Sequence, residues 1–188
     1  MSNMLLDKNT LKIMAEFCLD YNKRVYGRNL SHKLKMNQKT AANILNKLEK
    51  EGTLKYMTEG KNKYYFLNKL NPQIQDIIKI IEIERKNEFI KHYKKFRELF
   101  FALEKRSNGG VIIFGSYANF SNNEKSDLDI FVIGKISEID DLEEIYKLKI
   151  NIVKSDKEKV DKEEVFIKEI IKNHIILKGV EKFIELIW

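Results

Sequence analysis

The sequence predicts an α+β protein of two modules joined by a helical segment, and three observations carry that expectation. Positive charge is confined to one end: residues 1–70 hold 14 Lys and Arg against six Asp and Glu, a net of +8, whereas residues 71–188 hold 21 against 22, a net of −1. Hydrophobic spacing changes at the same place, from short helical periods and two short strands to a long helical stripe followed by continuous apolar runs. Finally, Gly115-Ser116 is followed after ten residues by Asp127-Leu128-Asp129-Ile130. The expected divisions are a basic module over 1–70, a helical linker over 71–106 and an α/β module with a small mixed sheet over 107–188.

In the first module Leu11, Met14, Ala15, Cys18 and Leu19 recur at helical spacing, giving one buried stripe. The Tyr26-Gly27 pair turns into a short second helix around Asn29 to Lys35, and Asn37 is placed to cap a third from Gln38 to about Glu51. On the third helix Ala41, Ile44, Leu45 and Leu48 gather on one side; Lys39, Asn43, Asn46 and Lys50 fall on the other at 100° per residue. Gly52 ends that helix. Leu54 to Met57 and Tyr64 to Leu67 then read as two strands about the polar tip Thr58 to Lys63.

Three helices and a basic hairpin over about residues 5 to 69 resemble the winged helix-turn-helix DNA-binding domains of prokaryotic regulators. That resemblance implies a third helix in the major groove and a wing on the backbone or minor groove. Carried over residue by residue, Lys39, Thr40, Asn43, Asn46, Lys47 and Lys50 would face double-stranded DNA from the helix, and Lys61 and Lys63 from the wing. A homodimer on paired half-sites is the expected assembly. Its apolar surface would be the stripe Ile74 to Ile81 or the C-terminal cluster Phe183 to Trp188.

Between the modules Asn71-Pro72 is a helix-start signal. Ile74, Ile77, Ile78 and Ile81, then Phe89, Tyr93, Phe96 and Phe100, continue one stripe to about Lys105. Two readings stand: one unbroken helix of roughly 50 Å at 1.5 Å per residue, or two helices parted near Glu84 to Lys86.

In the second module Val111 to Phe114 and Leu128 to Ile133 are apolar runs of strand character. Strand alternation puts Asp127 and Asp129 on one face. Two oxygen ligands so spaced suit a hard cation such as Mg²⁺ (or Mn²⁺), which completes its shell with water and substrate phosphates. Gly115 lets the backbone approach a phosphate closely, and Ser116 adds a hydroxyl and an N–H.

The string VIIFGSYANFSNNEKSDLDIFVIG resembles the signature of DNA polymerase β-like nucleotidyltransferases, in particular the small minimal nucleotidyltransferases. The resemblance implies that Gly115 and Ser116 hold the triphosphate of ATP or another nucleoside triphosphate, and that Asp127 and Asp129 are the catalytic, metal-holding carboxylates. It also implies a third carboxylate on a following strand. There the strand Leu148 to Val153 carries Asn151, which can ligate through oxygen but brings no charge and cannot serve as a base; Asp156 lies beyond the apolar run. The leading expectation is a DNA-binding regulator with a nucleotide- and Mg²⁺-binding second domain able to transfer a nucleotidyl group, with a HEPN-type partner protein as one acceptor class. The other is a non-catalytic transcription factor whose transferase fold serves as nucleotide sensor or dimerisation scaffold.

Composition sets the remaining limits. An apolar fraction of 43% suffices for a packed core, and no apolar run approaches the roughly 18 residues of a membrane span. Cys18 is the single cysteine, which excludes intramolecular disulfides and cysteine zinc sites. With no leader pattern over Met1 to Thr10, a cytoplasmic protein is expected. His32, His92 and His174 lack ligand spacing and are read as surface or packing residues. Lys157 to Glu164 reads as the start of a last long helix bearing Phe166, Ile170 and Ile171.

Overall fold

The computed structural model describes residues 7–188, and the chain divides into two compact units, one ending at Ile81 and the other spanning Glu82–Trp188. The start of the basic module, including the Met4 to Leu6 cluster, lies outside the described residues.

The first unit runs α1 (Lys8–Cys18), β1 (Val25–Tyr26), α2 (Gly27–Lys33), α3 (Gln38–Lys50), β2 (Leu54–Glu59) and β3 (Asn62–Leu67). Asp7 caps α1, its carboxylate accepting from the Thr10 N–H at 3.0 Å. The buried stripe of α1 is rotated from the expected one: Ile13, Met14, Phe17 and Cys18 are fully covered, while Leu11, Ala15 and Leu19 are only partly so. Glu16 on that helix is also buried, which its bonds to Lys33 (2.7 Å) and Lys23 (3.2 Å) offset. Asn37 caps α3 by accepting from the N–H groups of Lys39 (2.9 Å) and Thr40 (3.4 Å). At the other end Gly52, at φ +74°, lets the Thr53 N–H fold back onto the Leu48 carbonyl at 2.9 Å and stops the helix.

Strands β2 and β3 pair antiparallel from Leu54↔Leu67 out to Glu59↔Asn62, so the strands extend further than the sequence suggests. Only Gly60-Lys61 remain as the turn, with Gly60 at φ +60° in the position that a two-residue hairpin reserves for glycine. β1 adds to β3, giving a three-stranded sheet of order β1-β3-β2.

Helix α4 (Ile74–His92) is followed by a 3-10 turn at Lys94–Phe96 and α5 (Arg97–Arg106). The segment is therefore neither one continuous helix nor two parted near Glu84: it breaks at Tyr93, whose φ −98° and ψ 49° leave the helical region. Tertiary contacts hold it there. The Tyr93 ring packs on Phe89 and Tyr117 at 4.7 and 5.3 Å, and its hydroxyl bonds Asn122 and the Tyr117 carbonyl.

Beyond α5 come β4 (Gly110–Phe114), α6 (Gly115–Ala118), β5 (Leu128–Ile133), α7 (Asp140–Tyr146), β6 (Ile150–Ser155), α8 (Val165–Lys172), β7 (His174–Lys178) and α9 (Val180–Ile187). The sheet is mixed, of order β6-β5-β4-β7, with β5 and β6 parallel and the other pairs antiparallel. One face packs Val111, Ile113, Leu128, Ile130 and Val132 against Phe89, Leu99, Phe100 and Leu103. On the other face Phe114 and Phe131 meet Phe166 of α8 edge-on. The expected last long helix is thus only eight residues; it ends at Asn173, and the apolar run from His174 to Lys178 is a strand. His174 is wholly buried, its Nε2 3.1 Å from Glu82 and 3.2 Å from Arg85, which itself bonds Glu82 at 2.6 Å.

No helix among the described residues is long and apolar enough to cross a membrane. Of the surfaces expected to pair two chains, Ile74, Ile78 and Ile81, and likewise Phe183, Ile184 and Ile187, are buried in the single chain, whereas Ile77 and Trp188 are half-buried.

Candidate functional site

Strand register brings the candidate residues together at one edge of the mixed sheet. Asp129 lies opposite Phe114 on β4 and opposite Asn151 on β6, and residues so paired project to the same face. Asp127, two residues earlier, projects from the same side just before β5. The Asn151 side-chain amide joins both acids: its Nδ2 donates to Asp129 Oδ1 at 2.9 Å and to Asp127 Oδ2 at 3.3 Å. Lys149 adds an ammonium 3.2 Å from Asp127 Oδ2. Sequence reasoning did not single out Lys149. Its signal was the two-residue spacing from Asn151, since Lys149 lies just ahead of the strand beside β5.

Asp156 is placed elsewhere. In the parallel pair Ser155 lies opposite Ile133, at the far end of β6 from Asn151, and Asp156 bonds Lys159 instead, at 3.2 Å. Five residues of strand separate it from Asn151, roughly 17 Å.

The turn after β4 completes the arrangement. Gly115 sits at φ +69°, and a Cβ there would lie 2.6 Å from Asp129 Oδ2. Any other side chain would strain the backbone and push the carboxylate aside. Ser116 follows in the short helix α6, and its carbonyl accepts from the Ser121 N–H at 2.9 Å. Asn122, in the loop leading to Asp127, is tied to Tyr93. Tyr117 stands buried beside it; burial pushes its phenol up and keeps it protonated, against a smaller opposing effect of its bond to Asn122, with the charge of Asp127 a still smaller upward contribution.

The donor set suits a hard divalent cation: two carboxylates, an amide that could turn its oxygen inward, and a turn whose missing Cβ leaves room beside Asp129. Among the described residues no group of three His, Cys, Asp or Glu forms a metal cluster. A cation here would need water and phosphate oxygens to fill its shell.

In the first unit the expected DNA-facing side chains are on the surface. Lys39, Asn43, Asn46, Lys47 and Lys50 of α3 are exposed, as are Lys61 in the hairpin turn and Lys63 on β3; Thr40 is half-buried. Two of them are engaged. The Lys63 ammonium lies 4.2 Å from the centre of the Tyr56 ring, and Asn46 Oδ1 accepts a hydrogen bond from the Tyr65 hydroxyl at 2.7 Å.

No curated protein and no solved structure matches the chain. Residues 93–185 match the model of one family, described as the nucleotidyltransferase domain; the match begins at Tyr93, where the long helical segment breaks, and spans β4 to β7 with the Gly115-Ser116 turn, Asp127 and Asp129. The second unit carries a nucleotidyltransferase-like domain.

Proposed function

We propose that the chain is a DNA-binding regulator with a winged-helix first unit, whose nucleotidyltransferase-like domain binds a nucleoside triphosphate with Mg²⁺ or Mn²⁺ and transfers nucleotide slowly or not at all. The observation that carries this reading is the Asn151 amide bridging Asp127 and Asp129. It supports a paired-carboxylate site in which the third charged ligand is replaced by a neutral one.

Gly115 and Ser116 would receive the triphosphate, since the glycine leaves the backbone open and α6 begins there. Asp127 and Asp129 would hold the cation, which when bound neutralises phosphate charge and polarises the phosphoryl oxygens. Transfer also asks for a base to take the acceptor hydroxyl proton. Asn151 cannot take it. Lys149 offsets part of the carboxylate charge and the Asn151 amide hydrogen-bonds both acids, so cation entry has to displace an ammonium and turn an amide.

For the first unit, the order of helices and hairpin and the exposed Lys39, Asn43, Lys47 and Lys50 support a helix in the major groove with the Gly60-Lys61 turn as wing tip. The net charge of +8 over residues 1–70 supports a polyanionic partner. No dimer surface is assigned.

Calorimetry with Mn²⁺ and then ATP tests the nucleotide site. Wild-type protein should bind ATP in the presence of Mn²⁺, and Asp127→Asn with Asp129→Asn should reduce metal-dependent binding below detection. ATP binding that ignores both the metal and the double substitution would remove the assignment.

A further inference from the structure

We infer that Tyr65 orients the Asn46 amide so that it acts first as a hydrogen-bond donor on the surface of α3 and this position favours guanine over adenine; the inference rests on the DNA-binding reading above. Asn46 is exposed on the helix, whereas Tyr65 on β3 is only 5% exposed, with its hydroxyl 2.7 Å from Asn46 Oδ1. A carboxamide offers one oxygen acceptor and two N–H donors. Since the phenol donates to the oxygen, the outward part of Asn46 is its NH₂ group. Burial, with help from Glu49 and Tyr56, pushes the Tyr65 phenol up, so it keeps the proton it donates.

Adenine is read by an amide that donates to N7 and accepts from the N6 amino group, whereas guanine presents two acceptors, N7 and O6. An Asn46 whose oxygen is held by Tyr65 keeps both donors free and only one lone pair, so it offers donors ahead of acceptors and favours guanine. Asn43, one turn earlier and exposed, has no hydrogen bond to its side chain among the described residues and keeps both functions. The helix thus presents two asparagines of different reading capacity, and the difference is set by a residue of the hairpin. Tyr65 is a positioning residue: it acts on DNA only through Asn46.

The test is selection by the full chain from a library of random short duplexes, comparing wild type with Tyr65→Phe, Asn46→Ala and Asn46→Asp. Wild type should enrich guanine at one base pair, and Asn46→Ala should lose preference at that same pair. Tyr65→Phe removes the hydroxyl, keeps the ring and frees the oxygen, so its preference there should move toward adenine by about fivefold or more. Asn46→Asp keeps Tyr65 intact and presents an acceptor alone, so it should move the same pair toward cytosine if residue 46 touches the base; if Tyr65→Phe does not fold, the wild-type choice between guanine and adenine at that pair decides the matter. Salt dependence should be equal in wild type, Tyr65→Phe and Asn46→Ala, which carry the same charge and change no phosphate contact. An unchanged preference in folded Tyr65→Phe, or a wild-type preference for adenine at that pair, would overturn the role of Tyr65, and an unchanged preference in Asn46→Asp would remove base reading by Asn46. Equal weakening on every sequence by Asn46→Ala would show a phosphate contact and overturn it too. Wild type without salt-dependent binding to any duplex would remove the DNA-binding reading itself.

Discussion

Helix α3 and the β5–β6 edge both display charged and amide side chains, but they dispose of them in opposite ways. On α3 the ammonium groups of Lys39, Lys47 and Lys50 are exposed with no carboxylate bound to them among the described residues, in a segment where basic residues outnumber acidic ones. At the β5–β6 edge Asp127 and Asp129 are met by Lys149 and by both hydrogens of the Asn151 amide. A surface of uncompensated charge acts at a distance, through counterions and long-range attraction. A charge pair neutralised from within acts only at contact, and a ligand has first to compete with what is already bound. The same residue types therefore suit a polyanion in the first place and a small, strongly charged cation in the second.

That contrast breaks most visibly on the DNA side. Replacing Lys39 and Lys50 together by Ala should lower the slope of log K against log salt by about 2, which corresponds to a loss on the order of 50-fold at 0.1 M salt, spread evenly over sequences. Fluorescence anisotropy across a salt series measures it. An unchanged slope would mean that these lysines touch no phosphate.

The next effect belongs to Asn151. Asn151→Asp replaces the bridging NH₂ by a third carboxylate, which attracts a cation but repels Asp127 and Asp129 when the site holds none. One extra charge at about 4 Å is worth several kcal/mol at an effective dielectric constant near 20, and repulsion in the apo state adds to the advantage of the metal-bound form. Mn²⁺ affinity should rise by roughly tenfold or more, and the melting temperature should become metal-dependent. Equal Mn²⁺ affinity in the two proteins would place residue 151 outside the metal shell.

The smallest effect sharpens the comparison. Lys149 is 69% exposed at its side chain, so its pairing with Asp127 is screened by water. Lys149→Ala should tighten Mn²⁺ binding by at most about fivefold, the range an exposed ion pair allows. A much larger gain would show that the ammonium is a main barrier to the cation.

Much of this arrangement was legible in the chain. The α3 pattern, with Asn37 as its cap, needs only helical period and capping chemistry, and Ala41, Leu45 and Leu48 are indeed fully buried. Strand β5 is delimited by its own apolar run, and alternation alone sets Asp127 and Asp129 on one face. The misses have tertiary causes. The stripe from Ile74 to Phe100 keeps helical spacing through Tyr93, yet the helix breaks because ring packing and a buried hydroxyl bond hold that residue outside helical geometry. The last helix is expected to be long because Phe166, Ile170 and Ile171 keep a helical period; it ends at Asn173, and pairing of His174 to Lys178 with β4 makes the next run a strand.

The sequence by itself determined which groups the protein offers: a basic, amide-rich helix face, a glycine turn and two carboxylates on one strand face. Local periodicity and residue chemistry are enough for those, since neither depends on partners far along the chain; that Asn151 stands where a third acid is expected is what the family resemblance implies. Only the tertiary structure decided which of those groups remain free. Lys149 reaches Asp127 across 22 residues, Asn151 reaches Asp129 across 22, and Tyr65 reaches Asn46 across 19. Such pairings depend on strand register and on how the hairpin lies against its helix, and no periodicity records them; they assign each polar side chain either to a ligand or to its own fold.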